Sequence, residues 1–84
     1  MEIEVSVKNA AEKARVSAKP WVTITTNSLM GTFAMACDDT EEEAEVFLSR
    51  VQEQSAAMAK QMGLKPADTM EIVHRDTIKW VFKN

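Results

Sequence analysis

Residues 40–63 read TEEEAEVFLSRVQEQSAAMAKQMG, and this stretch decides the fold. Thr40 followed three residues later by Glu43 is a capping-box pattern, and Asp38 and Asp39 add negative charge where a helix dipole is positive. Ala44, Phe47, Leu48, Val51, Met58 and Met62 recur at helical spacing and form one apolar stripe, with Ser55 as the polar residue in that line. Gly63 stands where a left-handed C-terminal cap belongs, with Leu64 and Pro66 beyond it. The pattern predicts an amphipathic helix over 40–62, about 34 Å long at 1.5 Å per residue. Strands of five to seven residues span only ~17–24 Å. The helix is therefore expected to overhang the sheet it covers, at its Ala/Met-rich C-terminal end.

The flanking segments read as strands. Ile3, Val5 and Val7 alternate with Glu2, Glu4 and Ser6, the period of a half-buried strand. Asn9 with Glu12 has N-cap spacing, so a short helix is expected over about 9–18, ending before Pro20. Its apolar residues are mostly alanines, which predicts weak docking. Residues 21–27 are rich in β-formers, and 31–37 alternate Phe33, Met35 and Cys37 against Thr32, Ala34 and Ala36. Turn residues at 27–31 join these two runs into a hairpin. Residues 69–82 read as a second hairpin around a tight turn at His74-Arg75-Asp76-Thr77.

The resulting order is β-(α)-β-β-α-β-β. It predicts an α+β fold with a mostly antiparallel four- to five-stranded sheet and one long amphipathic helix packed on one face. The expected core takes Ile3, Val5, Val22, Ile24, Phe33 and Met35 from the first strands. It takes Phe47, Leu48, Val51 and Met58 from the helix, and Ile72, Ile78, Trp80 and Phe82 from the last strands. The open face would carry Glu2, Glu4, Thr23, Thr25, Thr32, Ala34, Lys79 and Val81. In element order alone the first six elements resemble a ferredoxin-like split βαβ fold, with one extra strand after them.

The chain has 84 residues, opens on Met1, and reads as one complete small domain spanning 1–84 with room for one modest core. A hydrophobic fraction of 45% and a charged fraction of 27% are those of a globular protein. The N-terminus has no continuous apolar region of a secretory signal, and no apolar run is long enough to cross a bilayer, so no membrane partner is expected. Cys37 is the only cysteine and cannot form an intrachain disulfide, which points to a reducing compartment such as the cytoplasm.

Charge is unevenly placed. Residues 38–55 hold seven acids and one base, while 1–37 hold three acids and four bases, and 56–84 hold three acids and five bases. The acidity is one local patch, and an acidic balance argues against non-specific nucleic-acid binding. Acids also belong at helix N-termini, so a solvated helix start is the plain reading of the patch.

Reactive side chains are few. Cys37 precedes a helix, which favours a thiolate, but Asp38, Asp39 and Glu41–Glu43 oppose one. His74 is the only histidine, and one Cys with one His falls short of a zinc site. No phosphate-binding glycine loop, Gly-x-Ser-x-Gly or His-Glu-x-x-His motif occurs, so neither a catalytic set, a metal nor a cofactor is expected. The expected function is therefore a non-catalytic interaction module. Compact acidic regulators and inhibitors of this kind are common among phage and mobile-element products. Its contact residues would be Asp38, Asp39, Glu41, Glu42 and Glu45 at the helix start and Ala56 and Ala57 on the smooth helix face. The partner would be another protein, one with a basic or nucleic-acid-binding surface, or a second copy in a homodimer. A small dimeric ligand-binding or enzymatic domain using Cys37 and His74 is the alternative. Nucleic-acid binding through the basic segment with Arg75, Lys79 and Lys83 beside Trp80 is a weaker one.

Overall fold

A computed structural model describes residues 2–27, 31–63 and 69–83. Five strands and two α-helices are laid out among them: β1 (Ile3–Val7), α1 (Ala10–Val16), β2 (Trp21–Asn27), β3 (Gly31–Asp38), α2 (Glu41–Met62), β4 (Thr69–His74) and β5 (Ile78–Phe82). A short 3₁₀ turn, Arg75–Thr77, joins β4 to β5. The α+β class and the order of elements follow the sequence reading. The turn expected between β2 and β3 falls at 28–30, outside the described residues, but the two strands do pair as a hairpin, with Asn27 opposite Gly31.

The sheet runs β4-β2-β3-β1-β5 and is mixed, not mostly antiparallel. β2 is antiparallel to both β3 and β4, whereas β1 is parallel to both β3 and β5. The split βαβ arrangement holds for β3-α2-β4, two parallel strands with β2 between them. It does not extend to β1, which runs parallel to its neighbour β3.

The second expected hairpin does not form. β4 and β5 lie at opposite ends of the strand order, and β5 pairs with β1 from Ile3–Ile78 to Val7–Phe82. The cause is the turn itself. Thr77 Oγ1 donates to the His74 carbonyl at 2.7 Å, and the Asp76 N–H donates to His74 Nδ1 at 3.2 Å. The Arg75 N–H donates to the Pro20 carbonyl at 2.8 Å, one rung of the β2–β4 ladder beyond Trp21–His74, so the chain runs on along β2 where a hairpin would turn back.

This link makes the sheet curl. Four Cα steps of 3.8 Å put Ile78 at most about 15 Å from His74. The outer strands of a flat five-stranded sheet would stand about 19 Å apart. Curling brings Ile78 of β5 into one buried cluster with Val5 and Val7 of β1, Val22 and Ile24 of β2, and Ala34 of β3. Val16 of α1 is fully buried in the same cluster. The alanine-rich short helix thus docks through its one branched apolar residue.

The opposite face of β2 is covered as well. Thr23 and Thr25 alternate with Val22 and Ile24, yet they are also buried. α2 packs on β2, β3 and β4, and its one buried residue, Ala44, stands outside the Val5–Ile78 cluster. The two helices therefore cover opposite faces, and the expected open face is not open at Thr23, Thr25 or Ala34. Part of that error is a register change in β3. Thr23 pairs with Ala36 and Ile24 with Ala34, which leaves Met35 as an extra residue. Such a bulge reverses which side chains point inward. Ala34 and Cys37 then share the inner face with Ile24 and Val22, and Phe33 and Ala36 turn to the other.

Two residues assigned to the core are exposed: Met58 at 61% and Phe82 at 56%. Phe82 ends an edge strand, with Lys13 Nζ 5.9 Å above its ring. Met58 lies in the second half of α2, where only Ser55 and Ala59 are half-buried. Among the described residues no helix is long and apolar enough to cross a membrane.

Candidate functional site

The start of α2 is built as its sequence implies. Thr40 caps the helix, its hydroxyl accepting the Glu43 N–H at 3.2 Å. Glu41, Glu42 and Glu43 occupy the first turn, where the exposed backbone N–H groups favour negative charge. Glu41, Glu42 and Glu45 are all exposed. Asp39 is exposed too, and Lys19 approaches it at 3.5 Å. Asp38 does not belong to this surface. It ends β3, is half-buried opposite Trp21, and its Oδ2 is enclosed without a hydrogen-bond partner.

Along α2, Phe47, Leu48, Val51, Ser55 and Ala59 are half-buried on the sheet-facing side. Met58 and Met62 continue this stripe but are 61% and 67% exposed. The stripe thus loses its cover in the last turns of α2, whose 22 residues rise about 33 Å, against about 26 Å for the eight-residue β3 and about 20 Å for the six-residue β4. Ala56 and Ala57 are exposed on the outer side, as is Val46 at 59%. The acids and the small residues thus share one solvent-facing helix, near its start and in its second half.

Cys37 and His74 are not brought together. Cys37 lies opposite Val22 and packs on the inner cluster, and its thiol donates to the Arg15 carbonyl at 3.3 Å. His74 lies opposite Trp21, one residue along and therefore on the other face. Its ring meets the Trp21 ring edge-on at 5.2 Å. The Asp76 N–H donates to Nδ1 at 3.2 Å, and an Asp76 carboxylate oxygen lies 3.5 Å from the same nitrogen. Cys37 has no imidazole positioned to take its proton. Among the described residues no group of three His, Cys, Asp or Glu side chains converges as metal ligands would.

The C-terminal basic residues disperse. Arg75 lies against the α1–β2 connection, its guanidinium donating to the carbonyls of Ser17 and Ala18 at 3.2 and 3.4 Å. Lys83 instead joins Lys8 and Arg15 around a groove at the end of β1. These three cations come from distant parts of the chain, so charge counting along the sequence missed the grouping.

Comparison of the chain with protein-family models, curated proteins and solved structures finds no match. What the fold and the exposed helix define is a class: a small α+β domain with a curled five-stranded mixed sheet and a long helix exposed along its second half.

Proposed function

We propose that this chain is a non-catalytic protein-interaction module, a regulator or inhibitor, that contacts its partner through α2. The observation that carries the reading is the exposed second half of the helix, where Met58 and Met62 lie exposed on a stripe whose earlier members pack on the sheet. Flexible, polarisable Met side chains adapt well to a partner surface. The exposed Asp39, Glu41, Glu42 and Glu45 near the other end favour a partner with a basic surface and accelerate its approach. Cys37 and His74 lie on opposite sheet faces and form no Cys–His pair.

The test is photo-crosslinking in the source cell from a reactive residue placed at position 58. A single protein should be captured, with capture falling as salt rises. It should be lost both in Glu41→Lys/Glu42→Lys/Glu45→Lys and in Met58→Lys/Met62→Lys. Capture that survives both sets of changes removes α2 from the account. A crosslinked species of twice the chain mass would identify the partner as a second copy.

A further inference from the structure

The groove at the end of β1 is separate from α2, none of whose residues lines it. β1 and β3 pair at Ser6 and Phe33. Beyond that pair the chain leaves β1 into α1, and the Lys83 N–H donates to the Val7 carbonyl at 2.8 Å, holding the end of β5 beside it. The space left between α1, β1 and β3 measures about 620 Å³. Small-molecule sites occupy roughly 300–1,000 Å³ and combine an apolar lining with a few converging polar groups. Here the half-buried Phe33 and Met35 supply the accessible apolar lining, at the margin of the buried Val7 and Ala34, and Lys8, Arg15 and Lys83 supply the charge.

Charge complementarity indicates the occupant. None of the three cations forms a salt bridge among the described residues. The one carboxylate in the lining, Glu12, is held on the Lys8 N–H at 2.8 Å. Three cations therefore face one engaged acid. A bare phosphate would leave the apolar lining unused. A nucleotide base would find few hydrogen-bonding side chains there, with Ser6 the one neutral polar residue.

We propose that this groove binds a small amphipathic carboxylate, with its apolar body on Phe33 and Met35 and its anionic end among Lys8, Arg15 and Lys83. The site is independent of the α2 reading, and each can fail without the other. The test is an NMR titration of the full chain with decanoate, decanol, inorganic phosphate and adenosine monophosphate. Decanoate should shift Ser6, Phe33 and Met35 and bind more tightly than decanol. Phosphate and adenosine monophosphate should bind much more weakly. The variant Lys8→Gln/Arg15→Gln/Lys83→Gln should weaken decanoate by about tenfold, as three exposed charge contacts would, and leave decanol unchanged. All three positions are exposed, so the fold should survive, and circular dichroism checks it. Met35→Gln should weaken decanoate and decanol together. The proposal is overturned by equal affinity for decanol, by phosphate or the nucleotide matching decanoate, by shifts confined to Met58 and Met62, or by no binding.

Discussion

Thr23 and Thr25 share a strand, a face and a residue type, and differ in one hydrogen bond. The Thr25 hydroxyl donates to the Thr69 carbonyl at 3.3 Å, whereas the Thr23 hydroxyl is enclosed with no partner. A buried hydroxyl without a partner costs about 1–3 kcal/mol. Thr23→Val keeps the β-branched shape and removes that cost, so it should stabilise the fold by about 1 kcal/mol. Thr25→Val should be neutral or cost about 1 kcal/mol, because a made bond is lost. Urea denaturation of both variants checks the pair, and a lower midpoint for Thr23→Val would show that its hydroxyl is satisfied after all. Neither role was legible in the sequence. Alternation assigns these threonines to an exposed face, and only the second helical layer makes that face an interior.

At the scale of the element, α2 was the most legible part, because its boundaries depend on local chemistry. Thr40 caps its start, and Gly63 ends it at φ 71°. A Cβ at Gly63 would meet nothing within 4 Å, so Gly63→Ala should cost only the backbone penalty, about 1 kcal/mol. Ala44 is the opposite case. It is fully buried against the sheet, and Ala44→Leu should cost about 1–3 kcal/mol by overpacking. Thermal melting of the two variants should rank them in that order. The helix should also be uneven in its dynamics. Its first turns pack on the sheet, while in residues 52–62 only Ser55 and Ala59 are even half-buried. Amide exchange over 55–62 should be about tenfold or more faster than over 45–51, since local opening follows the density of buried contacts. Uniform protection along α2 would mean that something covers Met58 and Met62, and would weaken the proposed contact surface.

At the scale of the whole molecule, the sequence reading was weakest where the chain pairs with distant residues. Strand identity is local, but the partner of β5 is not. A hydrophobic alternation at 78–82 fits a hairpin with β4 as well as a parallel ladder with β1, and a three-residue connection favours the hairpin. The distant groups that hold the start of the link are Pro20, Ser17 and Ala18, more than fifty residues upstream of Arg75, whose carbonyls receive its backbone and guanidinium N–H groups. The same non-locality hid the groove, whose cations are residues 8, 15 and 83. Arg75 is thus the closure of the curl. Its N–H extends the β2–β4 ladder to Pro20, and its charge lies against the carbonyl end of α1, capped at Ser17. Arg75→Ala keeps the backbone bond to Pro20 and deletes the side-chain ones, so the β1–β5 register should persist while stability falls by about 1–2 kcal/mol. Arg75→Lys should recover part of the loss by restoring charge without the two-carbonyl fork. Urea denaturation gives the magnitude, and amide exchange at Val81 gives the location: it should accelerate in Arg75→Ala more than at Val22, which sits at the β2–β3–β4 side of the core. Equal acceleration at both would make Arg75 a general contributor, and no change in either would remove its side chain from the account of the curl.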